Sequence, residues 1–210
     1  MPRRKRKEVE KSVFHTLQGF AKTLEAKDQY TAGHSGRVVL YTSMILDGLG
    51  LKGMDRDLLL EGAAMHDIGK LCLDLSVLNS PKPLNPEQVE LFRSHPVRGR
   101  EILEPITFLN DLIPIVYSHH EYFDGSGYPE GLKGEEIPLE ARVVAVADSY
   151  DAMTSARSYR RAMKHVTAVR ELTQGSGTQF DPEIVTVFLA QIEGYLHDSE
   201  ISRLLNHIPT

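Results

Sequence analysis

The chain has 210 residues, enough for one domain with a sizeable apolar core, and its single cysteine, Cys72, excludes an internal disulfide framework and reads as a small core filler. A formal net charge of -5 argues against nucleic-acid polymers as partners, because nonspecific affinity for them needs a basic face that neutralises phosphates. No apolar stretch is long enough to span a bilayer, and no apolar segment follows the basic tip MPRRKRK as a secretory signal requires, so a soluble, cytoplasmic protein is expected.

Val13, Leu17, Phe20, Ala21 and Leu24 recur at three-and-four spacing and predict an amphipathic leading helix over residues 9 to 28. Its apolar stripe suits either packing on its own domain or a homodimer. Residues 1–20 are taken as a solvated basic tip with this helix, and residues 21–210 as one globular domain. Helices are predicted next over residues 34 to 50 and 56 to 68, the first punctuated by Gly48 and Gly50, the second ended by Gly69. Asn85, Pro86 and Gln88 read as N-cap, first-turn proline and capping-box acceptor of a helix that stops before Pro96. Further helices are expected over residues 97 to 104, 108 to 119 and 138 to 154, followed by a last pair after Val166, with Asp181 and Pro182 opening the later one. No two-residue alternation bounded by hairpin turns is present, so the fold class is all-α, a compact multi-helix bundle. The longest irregular stretch, FDGSGYPEGLKGEEI at 123 to 137, is glycine-rich, and such loops in compact domains tend to carry function.

Polar residues stand where the pattern wants apolar ones. His66 and Asp67 close the run LLLEGAAM, His119 and His120 close LIPIVYS, and Asp148 closes ARVVAVA. An imidazole or carboxylate in such segments is costly unless it is paired, hydrogen-bonded or bound to a metal. Taken alone, each has an ordinary reading: a histidine hydrogen-bonded in the core, or an aspartate that caps a helix or pairs with Arg142 or Arg157. Adjacent His119 and His120 would point about 100° apart on a regular helix, so both face one centre only where the helix ends.

The order His34, His66-Asp67, Asp148 resembles the H…HD…D skeleton of the HD phosphohydrolase superfamily. The stretches HDIGK at 66 to 70 and HHEYFDGSGYP at 119 to 129 resemble the signature of its HD-GYP subfamily, and EAKDQYTAGHSGRV, LNSPKPL, SHPVRGREIL and GLKGEEIPLEARVVAVADSYDAMTSARSYRRA extend the likeness over roughly residues 20 to 185. The resemblance implies an HD-domain bundle with a GYP loop. It implies that His34, His66, Asp67 and Asp148 bind one metal, and that Asp67 bridges to a second held by His95, His119 and His120. The expected cofactors are two divalent transition-metal ions, iron or manganese first, with zinc, nickel or cobalt open to the same mixture of imidazole and carboxylate. Two such ions about 3.5 to 4 Å apart suit phosphoester hydrolysis, with a bridging hydroxide attacking phosphorus.

The implied activity is that of a cyclic di-GMP phosphodiesterase yielding linear pGpG or GMP. Alternatives are hydrolysis of another cyclic dinucleotide such as cyclic GMP-AMP, or a non-catalytic cyclic di-GMP receptor. Catalytic roles fall on Asp67 and on Lys70, whose ammonium would offset charge on a phosphate oxygen. Gly127, Tyr128, Pro129, Asp151, Arg157 and Arg160 are the expected substrate contacts, while Glu121 and Asp124 are read as fixing the loop. Where family members with three metals carry an acidic ligand about one turn before the first histidine, this chain has Tyr30, four residues before His34, so a binuclear site is expected unless Glu25 or Asp28 reaches in. A separate regulatory protein remains an open partner.

Overall fold

The computed structural model describes residues 3–27, 33–80, 82–156 and 162–205. The α-helices in chain order are α1 (Arg3–Lys27), α2 (His34–Gly48), α3 (Met54–Met65), α4 (Leu75–Leu78), α5 (Pro86–Arg93), α6 (His95–Leu103), α7 (Ile113–Ser118), α8 (Leu139–Thr154), α9 (His165–Gly175) and α10 (Pro182–Leu205). Three 3-10 segments, Ile68–Cys72, Thr107–Leu112 and Gly134–Glu136, join them. Among the described residues there is no strand, only an isolated bridge between Ser176 and Phe180, so the all-α expectation holds. None of the described helices is long and apolar enough to cross a membrane.

α8 forms the centre. Ala141, Val143, Val144, Val146, Ala147 and Tyr150 are all buried, so this helix is apolar on nearly every side and must be wrapped by others. α2, α3, α7, α9 and α10 supply the wrapping through Val38, Ile45, Leu46, Leu59, Ala63, Ile115, Leu172, Ile184 and Phe188. A second cluster of Met65, Ile68, Leu103, Leu109, Leu112 and Val116 fills the other end. α1 lies on that cluster through Phe14, Leu17 and Ala21, so its stripe packs on its own chain. Phe20, assigned to the same stripe from spacing, faces solvent at 52% exposure, because the buried face runs through Phe14 instead.

Local signals mark the starts of α5 and α10. Asn85 accepts from the Gln88 amide at 2.8 Å while the Gln88 side chain accepts from the Asn85 amide at 3.0 Å, the capping box read from sequence. Asp181 Oδ1 accepts from the Glu183 amide at 2.8 Å and caps α10.

Two further expectations fail here. Gly69 does not end a helix: α3 stops at Met65, and Gly69 lies inside the 3-10 segment without a positive φ. Its lack of a side chain serves a close approach, since a Cβ there would collide with the His95 carbonyl oxygen and the Gly99 amide nitrogen. Cys72 is exposed rather than a core filler, because it ends a segment whose buried side is taken by Ile68 and Gly69.

Candidate metal centre

Three helix ends deliver the histidines of one cluster. His66 follows the last residue of α3, His119 follows α7, and His95 stands just beyond α5. The final carbonyls of a helix lack intrahelical donors, and each of these imidazoles uses one. His66 Nδ1 donates to Ala63 O at 2.7 Å, His95 Nδ1 to Phe92 O at 2.8 Å and His119 Nδ1 to Val116 O at 2.9 Å. A carbonyl only accepts, so each Nδ1 carries the proton and each Nε2 is left as a free donor atom for a metal.

His34, the first residue of α2 as His95 is of α6, uses a buried carboxylate rather than a backbone carbonyl. Its Nδ1 donates instead to Asp151 Oδ2 at 2.7 Å, and Asp151 in turn accepts from Arg37 Nε at 2.5 Å and from Arg37 Nη2 at 3.1 Å. Asp151, expected at the substrate, therefore lies behind His34 with 1% exposure. The reason is helical: three residues after Asp148 it shares that residue's face of α8, and α2 packs against that face.

The Nε2 atoms converge. His34 Nε2 lies 3.4 Å from His66 Nε2 and 3.4 Å from Asp148 Oδ1, while His95 Nε2 lies 3.3 Å from His119 Nε2. Asp67 stands between the two sets. Its Oδ2 is 3.4 Å from His66 Nε2 and 3.7 Å from His34 Nε2, and its Oδ1 is 3.4 Å from His95 Nε2 and 4.0 Å from His119 Nε2. Three groups, His34 with His66 and Asp148, His95 with His119 and His120, and His66 with Asp67 and His119, bring their donor atoms within 4.8 Å of one another and could each hold a metal ion. Imidazoles whose protonated nitrogens already point outward, with two carboxylates between them, fit a divalent transition metal.

The charges follow this arrangement. Burial pulls His34 down, but hydrogen bonds to Asp151 and Asp67 outweigh it and raise it to about 9. Burial also opposes ionisation of Asp67, yet Lys70 and His66 hold its carboxyl well below the usual range. On the other side burial wins: His95 is lowered to about 3, and His119 and His120 are pushed well below the ordinary histidine range.

Lys70, expected against a phosphate, has its Nζ 2.5 Å from Asp67 Oδ2 and 5.3 Å from the centre of the Phe92 ring. The GYP loop closes over the His120 side. Tyr128 stacks on His120 with ring centres 4.9 Å apart and planes 27° apart, Arg93 lies over the Tyr128 ring, and a cis peptide bond joins Tyr128 to Pro129. Glu121, 3% exposed, accepts from the amides of Glu130 at 2.7 Å, Gly131 at 3.2 Å and Leu132 at 3.1 Å. Asp124 accepts from Ser126 in the same loop. Gly127 lies against the backbone of Glu121 and Tyr122, so its missing side chain serves the loop's own packing. Glu25 accepts from the Ser35 amide at 2.9 Å at the start of α2. Arg157, Arg160, Tyr30 and Asp28 lie outside the described residues.

A family model described as HD domain matches residues 20–184. Among curated proteins, a cyclic di-GMP phosphodiesterase response regulator of Xanthomonas campestris pv. campestris is 38% identical over 191 residues, covering 89% of this chain and 50% of the relative. A 3'3'-cGAMP-specific phosphodiesterase of Vibrio cholerae is 37% identical over 167 residues, covering 80% of this chain and 36% of the relative. The chain thus spans between a third and a half of the length of these relatives. Among solved structures, an HDG"Y"P protein from Bdellovibrio bacteriovorus superposes with a TM-score of 0.67 at 18% identity, covering 89% of this chain and 64% of that one, which shows a shared fold.

Proposed function

Since this chain belongs to the HD domain family, we propose that it is a metal-dependent phosphodiesterase acting on a cyclic dinucleotide, with cyclic di-GMP as the leading substrate. The observation that carries the reading is Asp67, whose two oxygens face two separate sets of imidazoles. In this reading His34, His66 and Asp148 complete one ion position, His95, His119 and His120 complete the other, and Asp67 is shared. Iron or manganese suits the mixed donor set best. Divalent cations held there supply Lewis acidity and activate water for attack on phosphorus.

The chain's own residues do the rest. The outward Nδ1 hydrogen bonds fix each imidazole so that its Nε2 needs no reorganisation when a ligand arrives. Lys70 brings a positive charge to the edge of Asp67 and offsets negative charge on a phosphate oxygen. Tyr128, held flat on His120 by a loop that Glu121 ties down, offers an aromatic face to a base. Residues 21–210 act as one catalytic unit.

A second reading, cleavage of 3'3'-cGAMP, is favoured by the Vibrio cholerae relative at 37% identity. Protein reconstituted anaerobically with Mn(II) or Fe(II) and offered each cyclic dinucleotide separates them by product chromatography. Faster loss of cyclic di-GMP supports the main reading, faster loss of 3'3'-cGAMP the second. Binding without turnover by fully loaded protein identifies a receptor and rejects both.

A further inference from the structure

The two candidate ion positions, whose assignment rests on the reading above, are built from different materials. Between α2, α3 and α8, His34, His66, Asp148 Oδ1 and Asp67 Oδ2 converge, and behind His34 stands a further carboxylate, Asp151. On the other side His95, His119 and His120 share only Asp67 Oδ1 as an anionic donor. The first position thus meets two carboxylates directly and a third through one imidazole, the second position meets one. Asp151 also offsets the positive end of α2, on which His34 sits. Its orientation is fixed from outside by Arg37, whose Nε and Nη2 each meet a different oxygen of it. Neutral backbone carbonyls do the equivalent work for His66, His95 and His119.

Carboxylates favour hard divalent cations such as Mn(II), and a carboxylate behind a ligating imidazole makes that imidazole a stronger donor. We propose that the two positions are unequal: the one at His34, His66 and Asp148 takes a hard divalent cation first and more tightly, and Asp151, anchored by Arg37, is the positioning residue that makes it so. The position at His95, His119 and His120 then fills second and is the one that exchanges. At limiting metal, the protein carries one ion and lacks a complete centre.

Metal-stripped full chain titrated with Mn(II), followed by electron paramagnetic resonance and equilibrium dialysis, tests this. Two steps are expected, the first tighter by about tenfold or more, with an isolated-ion signal at one equivalent that broadens as the second ion binds. His120→Gln should abolish the second step and leave the first. Asp151→Asn keeps an acceptor for His34 but removes the charge, and should weaken the first step by about 10- to 100-fold while leaving the second within about twofold. Arg37→Gln, which leaves the charge of Asp151 in place but removes its paired donors, should weaken the first step less. Equal steps in the wild-type protein, a first step lost in His120→Gln, or an Asp151→Asn effect confined to the second step overturns the inference alone. Failure of the wild-type chain to bind Mn(II) at all overturns the two-ion reading with it.

Discussion

Gly69 and Gly99 let the 3-10 segment Ile68–Cys72 and helix α6 meet backbone to backbone, and this contact sets His95 beside Asp67. A Cβ at Gly69 would collide with the His95 carbonyl oxygen and the Gly99 amide nitrogen, neither of which can swing aside as a side chain would. Gly69→Ala should therefore cost about 3 kcal/mol and displace His95 from its partners. Thermal unfolding with metal analysis checks it: a lower Tm together with loss of the more weakly held ion is expected, and an unchanged Tm would contradict the packing argument.

Glu121 is a buried carboxylate satisfied by three loop amides, those of Glu130, Gly131 and Leu132. Glu121→Gln puts an amide donor where one of these N–H groups points, leaving a donor unmatched at about 1–3 kcal/mol. Hydrogen exchange at those three amides should speed up by about tenfold or more, and Tyr128 should lose its fixed stacking on His120. Unchanged exchange at residues 130 to 132 would mean that other contacts fix the loop.

Arg142 ties α8 to α10 through Asp181 and also donates to Ile137 O at 3.0 Å. Because Asp181 caps α10 as well, Asp181→Ala removes the cap and strands a largely buried guanidinium, a loss of about 2–4 kcal/mol. Denaturant unfolding measures it. Asp181→Asn, which keeps the cap, should lose less, and an equal loss in both variants would assign the whole effect to the ion pair.

The metal-free protein should show a stability optimum near pH 6.5. Burial holds His95 at about 3, and His119 and His120 well below their ordinary range, so the unfolded chain binds protons there that the folded chain does not. Stability therefore falls as pH drops below about 6.5. His34, raised to about 9, acts in the opposite sense: the folded chain keeps a proton that the unfolded chain releases. That contribution is complete below about 6.5 and disappears as pH rises through 9. Tm of chelated samples across this range checks both limbs, and a steady rise to pH 9 would contradict the second.

Much of this was legible in the sequence because it depends on local rules. Asn85 with Gln88 and Asp181 with Pro182 announce helix starts through groups that are neighbours in the chain. The seven polar residues His34, His66, Asp67, His95, His119, His120 and Asp148 stand out because each interrupts or adjoins an apolar segment or matches a family signature, and the fold brings their donor atoms together. What stayed hidden depends on which element packs where. Gly69 carries the composition of a helix end, yet its role comes from α6 crossing it. Asp151 belongs to His34 because α2 lies against α8, a fact that spacing along α8 alone does not contain. Phe20 shares the period of Leu17 and Ala21, but Phe14 takes the inward direction and turns Phe20 to solvent. The break at His66-Asp67 is similar: periodicity runs through it, and only the carbonyl of Ala63, claimed by the His66 ring, marks where α3 stops.

If Asp67 is shared by two ions as proposed, metal content per chain in Asp67→Asn reveals it. Wild-type protein loaded with Mn(II) and freed of excess should retain two ions per chain, and the variant, folded but lacking the shared charge, should retain one or none. Two tightly held ions in Asp67→Asn would mean that Asp67 is not the shared ligand.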